Sequence, residues 1–382
     1  MIALHLLLET LGVLLAIMAL AGAVFGVIAA IATARFLART PAAPTSFPPV
    51  TIIRPMRGAE PEFDDNFNSL LTQDYAGPVQ VLAGADSETD AAYAAAARIK
   101  AAHPDADIVL VAEAAQHGTN RKLSNLINMA PRITGEIVVI SDSDVRLPPG
   151  GLSALVGVVQ QTGVGLAYGL YRGRPAGNLW SRLAALDINA RFASSVVVGQ
   201  ALGAHPVLGP TMAVRREALE RAGGFDRLKD VLADDFELGR MVREQGFGIG
   251  CPPLLIDHVF PERTLGELFV HELRWGRTIR LPNPGGYAGS VITFFWPLAL
   301  LAVALTGFTG PVLWLFWALT AVRLAQTLWL CRLMRADLSA AWLFPVRDLL
   351  ALAVFAKAWF GDRIEWRGSR LRVKADGAMA QP

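Results

Sequence analysis

The chain has 382 residues, of which 53% are hydrophobic, and its mean hydropathy of +0.39 is too high for an ordinary soluble enzyme. This length and composition predict one sizeable domain together with membrane segments. The net charge of +2 and the scattered Lys and Arg residues argue against a nucleic-acid partner, and two cysteines, Cys251 and Cys331, offer neither a disulfide framework nor a cysteine-based zinc site.

The first predicted element is a membrane helix. No charged residue occurs between Leu11 and Ala34, a run long enough to cross a bilayer, for which about 20 apolar residues are needed. A cleaved signal peptide would have a basic start and a short apolar core, whereas here the basic residues, Arg35 and Arg39, follow the run. Residues 1–40 are therefore predicted to be a transmembrane helix with a basic flank, and the positive-inside rule places the next domain in the cytoplasm.

Residues 41–49, rich in Pro and Ala, are a predicted linker to an α/β domain at residues 50–262. The predicted strands and helices of this domain alternate in the order Val50–Ile53, Val79–Leu82, Ala91–Ala102, Ile108–Val111, Lys122–Met129 and Ile137–Ile140. This alternation predicts a mostly parallel sheet with right-handed crossovers, as in nucleotide-binding domains. The glycine spacings of dinucleotide-binding and P-loop sites are absent after the first strand, which argues against both classes of enzyme.

The central strand of this domain ends in two carboxylates. Ile137 to Ile140 is an apolar run without alternation, typical of a strand buried on both faces, and Asp142 and Asp144 follow it. Open α/β sheets bind ligands at the carboxyl ends of their strands. Two carboxylates at i and i+2 in extended chain can share one side and one hard cation, which could in turn hold a diphosphate. The alternative is that Asp-Ser-Asp forms only a hydrogen-bonding turn.

The pattern loosens between residues 163 and 224, a stretch that is expected to cover the edge of the sheet and to shape an acceptor site. A helix is then predicted to begin close to a pair of aspartates. Asp234 as N-cap, with Glu237 three residues later, resembles a capping box, which would be a purely structural role. Asp235 lies in the first turn, where the helix dipole favours the anion, and this suits a general base.

Residues 263–285 are predicted to form an amphipathic interfacial helix. The apolar side chains between residues 264 and 281 lie on one arc of a helical wheel. Three basic side chains lie along another arc at every third position, His271, Arg274 and Arg277. Such a basic stripe can meet lipid headgroups, and it could also hold a diphosphate.

Residues 286–335 are predicted to hold transmembrane helices, because they contain two apolar segments of nearly spanning length, 291–308 and 311–331. The next apolar segment, from Trp342 to Phe360, carries three charged side chains, Arg347, Asp348 and Lys357. If this segment crossed the bilayer, the basic tail behind it would lie outside, against the positive-inside rule. Trp342 to Trp366 is therefore predicted to be a re-entrant or interfacial helix, and residues 336–382 a re-entrant or interfacial segment followed by a basic tail.

The acidic residues and the Arg-Trp pair form a series along the chain, Asp86, Asp142/Asp144, Asp234/Asp235 and Arg274-Trp275. This series resembles the family 2 and family 21 glycosyltransferases of GT-A fold, which carry the motifs D, D-x-D, (E/D)-D and (Q/R)-x-x-R-W. The likeness runs from about residue 50 to residue 282. The last motif begins with His271 in this chain, so its first position departs from the family pattern.

Further segments narrow the resemblance. Asn120–Leu126, Gly209–Arg216 and the Lys357-Ala-Trp-Phe and Trp366-Arg-Gly segments are similar to those of ceramide glucosyltransferases. Arg274–Arg280 and Gly285–Ile292 look most like the hopanoid-biosynthesis glycosyltransferases, which transfer N-acetylglucosamine from its UDP sugar to bacteriohopanetetrol. The resemblance implies an inverting, multi-pass enzyme of the inner (cytoplasmic) membrane that uses a UDP-sugar donor and a lipid acceptor. Ceramide glucosyl transfer and a non-catalytic membrane-anchored scaffold are the alternatives.

The resemblance also implies a role for each site residue. Asp86 would bind the uracil or ribose, the Arg54-Pro55 turn would form the other wall, and Lys122 is a candidate phosphate ligand. Asp144, with Asp142 beside it, would bind Mg²⁺ or Mn²⁺, and His258 would be a further ligand unless it is a structural histidine beside a strand. Asp235 would deprotonate the acceptor hydroxyl, with Asp234 next to it. Arg274 would bind the departing phosphates, and Trp275 would pack against the sugar or the acceptor.

Overall fold

The computed structural model of the chain describes residues 2–58, 60–308, 310–366, 369–373 and 377–380. The chain divides into two compact units. The sheet unit comprises Leu37–Ala176, Gly203–Pro261 and Arg363–Pro382. The helical unit comprises Met1–Phe36, Gly177–Leu202 and Glu262–Asp362. The domain predicted at 50–262 is therefore interrupted, and the reason is apolar packing: Leu186 and Ala190 bury themselves against Cys331 of the helical unit.

The strands are, in chain order, β1 (Val50–Pro55), β2 (Val79–Ala85), β3 (Asp107–Ala112), β4 (Ile137–Ser141), β5 (Val145–Arg146), β6 (Val164–Tyr168), β7 (Leu170–Pro175), β8 (Thr211–Arg215), β9 (Gly248–Gly250), β10 (Leu255–Phe260), β11 (Arg363–Trp366), β12 (Ser369–Val373) and β13 (Met379–Ala380). The helices are α1 (Ile2–Leu37), α2 (Phe63–Leu71), α3 (Ala91–Ala102), α4 (Arg121–Met129), α5 (Gly151–Val159), α6 (Leu179–Asp187), α7 (Ala193–Ala201), α8 (Arg216–Arg221), α9 (Asp234–Glu244), α10 (Leu265–Arg280), α11 (Pro284–Gly289), α12 (Phe295–Leu305), α13 (Gly310–Leu333) and α14 (Phe344–Ala358).

The main sheet has the strand order β3-β2-β1-β4-β8-β6-β9. Strands β3, β2, β1 and β4 are parallel, β8 is antiparallel to both of its neighbours, and β9 is parallel to β6. The mostly parallel sheet is thus confirmed. Strand β4 is buried along its whole length, as its unbroken apolar sequence predicts. Because β2, β1 and β4 are adjacent and parallel, the residues that follow them meet at one edge of the sheet.

The stretch 163–224 does not lie where the sequence predicted. Strand β8 occupies the middle of the sheet beside β4 instead of covering its edge, and β6 pairs with β8. The reason is the apolar core of β8, where Met212, Ala213 and Val214 are all fully buried. A smaller sheet of order β5-β10-β7 begins directly after the Asp142 turn and brings His258 on β10 beside Val145 on β5.

Candidate membrane spans in the described part of the helical unit are Ile2–Leu37, Pro284–Leu305, Gly310–Leu333 and Leu338–Ala358. The predicted N-terminal and C-terminal membrane helices are thus confirmed by length and hydropathy. Helix α1 approaches its neighbours closely along small residues. A Cβ atom on Gly22 would lie 2.3 Å from the carbonyl oxygen of Ile292.

The sequence predicted one helix from Trp342 to Trp366, and the structure shows that this is wrong. Helix α14 ends at Ala358, Gly361 has a φ of +85°, and strand β11 follows. A left-handed residue of this kind ends a helix, and glycine adopts it without strain. Two of the charges that suggested a re-entrant segment are buried and paired, Arg347 with Glu272 and Asp348 with Arg323. The re-entrant interpretation stays a prediction, since this segment also satisfies the requirements for a span.

Candidate active site

The turn after β4 carries Asp142 and Asp144 to the carboxyl edge of the sheet. The amide of Val145 donates to the carbonyl of Asp142 at 3.3 Å, so Asp-Ser-Asp is indeed a hydrogen-bonded turn. The amide of Asp142 donates to the carbonyl of Pro210 at 3.0 Å, which ties the turn to the start of β8. The turn alternative therefore does not compete with a binding role, because the turn is what presents the two carboxylates.

Arg54 supports this turn from within the protein. Its side chain is fully buried and donates from Nη2 to the carbonyls of Ser143 at 2.7 Å and Val145 at 3.3 Å. Burial lowers the pKa of Arg54 to about 10, and the charges of Asp144, Glu60 and Asp142 partly offset this effect. The Arg54 guanidinium itself is fully buried and has no exposed surface to offer a ligand, whereas the Arg54-Pro55 turn stays a predicted wall of the nucleotide site. Pro55 ends β1 and is half-buried.

Lys122 links two acidic motifs that are far apart in the sequence. Its Nζ lies 2.9 Å from Asp142 Oδ1 and 3.4 Å from Asp234 Oδ2. Burial by itself lowers the pKa of Lys122, but Asp142 and Asp234 outweigh burial and raise it, so the ammonium group is charged. The sequence ranked Lys122 only as a candidate phosphate ligand, and the structure places it at the centre of the site.

Helix α4 positions Lys122 through two asparagines that sequence reasoning did not single out. Asn120 caps the helix by accepting from the amide of Leu123 at 3.2 Å, and its Nδ2 donates to the carbonyl of Val231 at 2.9 Å. Asn125 donates to the carbonyl of Gly84 on β2 at 2.8 Å. These contacts fix the start of α4 against both β2 and the segment that leads to Asp234.

Asp234 does not cap α9, as the capping-box prediction required. Ala233 occupies the N-cap position, and its side chain can accept no hydrogen bond. The carboxylate of Asp234 instead contacts Lys122. The structural interpretation of Asp234 was wrong because the helix begins one residue earlier than a capping box at Asp234 would need, and the ion pair with Lys122 was not visible in the sequence.

Asp235 is held by backbone amides. Its Oδ2 accepts from Gly209 and its Oδ1 accepts from Phe236, both at 2.8 Å. Burial, followed by the charge of Asp234, raises the pKa of Asp235 to about 6, although the two amides and Lys122 partly offset both effects. The first-turn position favours the anion through the amide of Phe236, as the sequence predicted, but burial outweighs this effect. A carboxyl group with this pKa is ionised near pH 7 and can still accept a proton, which suits a general base.

Asp144 and His258 come together from distant parts of the chain. Asp144 Oδ2 lies 3.2 Å from His258 Nε2, and the amide of Val259 donates to the carbonyl of Asp144 at 2.9 Å. The pairing of β5 with β10 creates this contact between two side chains that the resemblance had suggested as ligands of one metal ion. Asp86 follows β2 and is half-exposed at the same edge of the sheet.

The described residues contain no group of three or more His, Cys, Asp or Glu side chains arranged to hold a metal ion. Asp144 and His258 still offer a carboxylate oxygen and an imidazole nitrogen within reach of one ion. Mg²⁺ is commonly held by one or two carboxylates together with substrate phosphates, and imidazole suits Mn²⁺ better than Mg²⁺. The residues present therefore fit a divalent cation whose coordination a diphosphate completes, with Asp142 as the neighbouring carboxylate.

Arg274 and Trp275 belong to the helical unit, on α10. Thr264 caps this helix by accepting from the amide of Glu267 at 3.1 Å. The ring of His271 lies edge-on to the ring of Trp275, with the ring centroids 4.5 Å apart, and its Nδ1 is hydrogen-bonded to the buried carboxylate of Glu262. The position that departs from the family motif thus supports the tryptophan.

The predicted basic stripe on α10 does not form a free surface, because two of its three side chains have partners within the helical unit. Arg277 is buried and donates from Nη2 to the carbonyl of Phe360 at 2.7 Å, and His271 is paired with Glu262. Helical spacing alone could not reveal these partners, because both lie outside the helix. The stripe is used largely for packing within the helical unit.

Comparison with known proteins adds to this description. The model of the family described as "Glycosyl transferase family 21" matches residues 14–379. Ceramide glucosyltransferase 1 of Caenorhabditis elegans is 21% identical over 202 residues, which are 53% of this chain and 43% of that protein. Ceramide glucosyltransferase of Gibberella zeae is 30% identical over 118 residues, 28% of this chain and 22% of that protein. The matched regions thus span less than half the length of these curated relatives.

Among solved structures, the chain is similar to a mannosyltransferase from Pyrobaculum calidifontis in complex with GDP-Man and Mn²⁺. The TM-score is 0.54 at 22% identity, and the match covers 92% of this chain and 99% of that one. At this identity the likeness concerns the fold. The GT-A fold predicted from the sequence is thereby confirmed, together with the membrane helices.

We predict that Arg54→Met lowers the free energy of unfolding by about 1–3 kcal/mol, because the buried carbonyls of Ser143 and Val145 lose their donor. Thermal unfolding in detergent measures this loss. The matched control is Arg132→Met, since Arg132 is half-exposed and forms a long 3.9 Å ion pair with Glu113 and a 3.1 Å hydrogen bond to the carbonyl of Asn128, four residues earlier in the chain. Equal melting temperatures for Arg54→Met and the control would contradict the supporting role of Arg54.

Proposed function

Because the chain belongs to glycosyl transferase family 21, we propose that it is a membrane-bound enzyme that transfers a sugar from a UDP-sugar to a hydroxyl group of a membrane lipid. The observation that carries the proposal is the cluster at the carboxyl edge of the sheet, where Lys122 lies within 3.4 Å of both Asp142 and Asp234. This cluster brings the D-x-D and the Asp-Asp motifs together in one site, which supports a single reaction centre.

The donor is proposed to bind along the edge formed by β2, β1 and β4. Asp86 would accept hydrogen bonds from the uracil or ribose, and Lys122 would meet a phosphate oxygen. Asp144, His258 and Asp142 would hold Mg²⁺ or Mn²⁺. When bound, this cation would supply the positive charge that offsets the negative charge on the departing diphosphate.

Asp235 is proposed as the general base. It would take the proton of the acceptor hydroxyl as that oxygen forms a bond to the anomeric carbon and the bond from this carbon to the phosphate oxygen breaks. The amides of Gly209 and Phe236 hold its carboxylate in one orientation. A single in-line displacement turns an α-linked donor into a β-glycoside.

Arg274 and Trp275 are proposed to act on the departing group and on the sugar or acceptor. A guanidinium binds phosphate oxygens in a bidentate manner, and an indole ring packs on apolar or sugar surfaces. A non-catalytic scaffold of this fold would have no use for Asp142, Asp234 and Asp235 around one lysine. Hydrolysis of the donor by the purified chain would distinguish the two, since a scaffold would leave UDP-sugar intact.

For the acceptor, we favour a polyhydroxylated hopanoid, bacteriohopanetetrol, with N-acetylglucosamine as the transferred sugar. Support comes from the resemblance of Arg274–Arg280 and Gly285–Ile292 to hopanoid-biosynthesis enzymes. The second candidate is glucosyl transfer to ceramide, which the similarity to two ceramide glucosyltransferases favours. Both candidates are membrane lipids with hydroxyl groups, in keeping with a chain that carries apolar helices of spanning length.

The acceptor is tested in mixed micelles with purified enzyme. UDP-glucose or UDP-N-acetylglucosamine is supplied with either bacteriohopanetetrol or ceramide, and the lipid products are measured by mass spectrometry. We expect N-acetylglucosaminyl hopanoid. If only ceramide gave a product, the acceptor would be ceramide instead of the hopanoid, and sugar transfer to a lipid would still hold. Transfer only to a water-soluble sugar would contradict a lipid acceptor.

We further propose that the sheet unit faces the cytoplasm of an inner-membrane protein, since Arg35 and Arg39 follow α1. A reporter cysteine in place of the exposed Asp105 tests this orientation in intact cells. We expect an impermeant maleimide to label Asp105→Cys only after the cells are opened. Labelling of intact cells would reverse the orientation.

Asp235→Asn should lower kcat by about 10²–10⁴-fold, because the amide cannot accept the proton. Affinity for UDP, measured by calorimetry, should stay nearly unchanged. Asparagine has one acceptor where Asp235 uses two, so the melting temperature of the variant must be measured as a control. A collapse of UDP affinity in a folded variant would contradict the assignment of the base.

The pH profile follows from the same residue. Since the pKa of Asp235 is raised to about 6, the ionised base is lost as pH falls, and kcat/KM should drop by about tenfold per unit below about pH 6. Asp234→Asn removes a negative charge that raises this pKa, so the acidic limb should move to lower pH. An acidic limb that is unchanged in position would show that another group controls it.

Activity should require a divalent cation. Asp144→Asn should raise the concentration of Mn²⁺ needed for half-maximal activity, because a neutral amide binds a cation more weakly than a carboxylate. Ser143→Ala is the matched control, since Ser143 is buried between the two aspartates and contacts Arg54 through its carbonyl. Full activity of the wild-type enzyme in excess chelator would refute the metal site.

A further inference from the structure

A buried ion pair joins α10 to α14 within the helical unit. Arg347 on α14 is 1% exposed and donates to both carboxylate oxygens of Glu272 on α10, at 2.5 and 2.6 Å. Arg347 Nε also lies 3.6 Å from Asp187 on α6, whose carboxylate is bound by Arg191. Arg347 therefore connects three helices.

Charges buried in a span of this kind are costly, and their pairing only partly repays the cost of removing them from water. Arg347 lies in the candidate span Leu338–Ala358. A second bidentate pair joins the adjacent residue of α14, Asp348, to Arg323 on α13 at 2.7 Å through both oxygens. Both pairs bury a guanidinium almost completely, but they connect α14 to different helices.

The contacts of α10 with α14 lie on either side of Arg274 and Trp275. Before them is Glu272, and after them Gly276 and Arg277. A Cβ atom on Gly276 would lie 3.2 Å from the Cβ of Ala358, so the backbones approach closely there, and Arg277 donates to the carbonyl of Phe360. Glu272 and Gly276 are four residues apart and share one face of α10.

Helical geometry then fixes where the Arg-Trp pair lies. At about 100° per residue, Arg274 is about 200° from Glu272, on the face of α10 away from α14. Trp275 is adjacent to Gly276, and its ring is supported by His271. A change in the rotation or the axial position of α10 would move both side chains together.

We propose that Arg347 is a positioning residue, which sets the rotation and axial position of α10 through Glu272 and thereby orients Arg274 and Trp275 for sugar transfer. This inference rests on the proposed function, because it assigns those two side chains to the reaction. A guanidinium suits the task because its planar fork binds both oxygens of a carboxylate in one fixed geometry. Lysine would keep the charge without fixing that geometry.

The test is a kinetic double-mutant cycle in detergent, with activity expressed per folded protein. Arg347→Met and Glu272→Gln should each lower kcat/KM by about 10–100-fold, the range typical of a misplaced reacting group. Asp348→Asn is the matched control, since it breaks an equally buried pair of the same helix that points to α13, and it should cost less than about threefold. Arg347→Lys should show a partial loss even where Arg347→Met does not fold.

The cycle is completed in the Trp275→Phe background. If Arg347 acts through α10, Arg347→Met should cost less than about threefold there, because the aligned side chain is already lost. A penalty that multiplies with Trp275→Phe, or equal losses for Arg347→Met and Asp348→Asn, would overturn the inference.

A second measurement does not depend on activity. The native cysteines are replaced, and the maleimide labelling rate of Arg274→Cys is compared with and without Arg347→Met. We expect a change of about threefold or more, with no change for Asp348→Asn. A wild-type protein that transfers no sugar would contradict the proposed function, whereas an unchanged labelling rate would contradict the positioning role.

Discussion

The site depends most on the hydrogen bonds that the buried guanidinium of Arg54 donates to the carbonyls of Ser143 and Val145. Arg54 lies at the end of β1, in the middle of the parallel strands, and its hydrogen bonds hold the turn that carries Asp142 and Asp144. Backbone carbonyls in the turn after a strand have no hydrogen-bond partner in the neighbouring strand. When such a carbonyl is buried, it needs another hydrogen-bond donor. A charged donor meets this need and also places a positive charge beneath two carboxylates.

The rest of the candidate site in the sheet unit consists mainly of carboxylates and the groups that bind them. Asp142 and Asp234 share Lys122, while Asp235 depends on two backbone amides. Burial raises the pKa of Asp235 to about 6, and the neighbouring charge of Asp234 adds to this effect. The proposed diphosphate would bring more negative charge to this edge, and the proposed cation at Asp144 and His258 would offset it.

Sequence reasoning located the strands of the parallel half well, because unbroken apolar runs such as Ile137–Ile140 leave few alternatives. Helix α3 begins and ends at the predicted residues, Ala91 and Ala102. Sequence reasoning failed where partners are distant in the chain. The antiparallel strand β8 and the pairing of β5 with β10 depend on tertiary packing that no local pattern encodes.

The candidate site shows the same division. Asp142, Asp144 and Asp234 were singled out by their positions after a strand or at a helix start, since ligands bind at strand ends and helix starts favour carboxylates. The partners that decide their roles could not be found in this way. Arg54 was expected to face a ligand and is buried, Lys122 was ranked low and is central, and Gly209 was not considered as the donor to Asp235.

The proposed chemistry is a single displacement at the anomeric carbon with Asp235 as the base. Proton NMR of the glycolipid product formed from an α-linked UDP-sugar measures the anomeric configuration of the new bond directly. A single displacement predicts the β-glycoside. A product with retained α configuration would contradict the account, because retention requires a second displacement or a front-side attack in which Asp235 has no role as base.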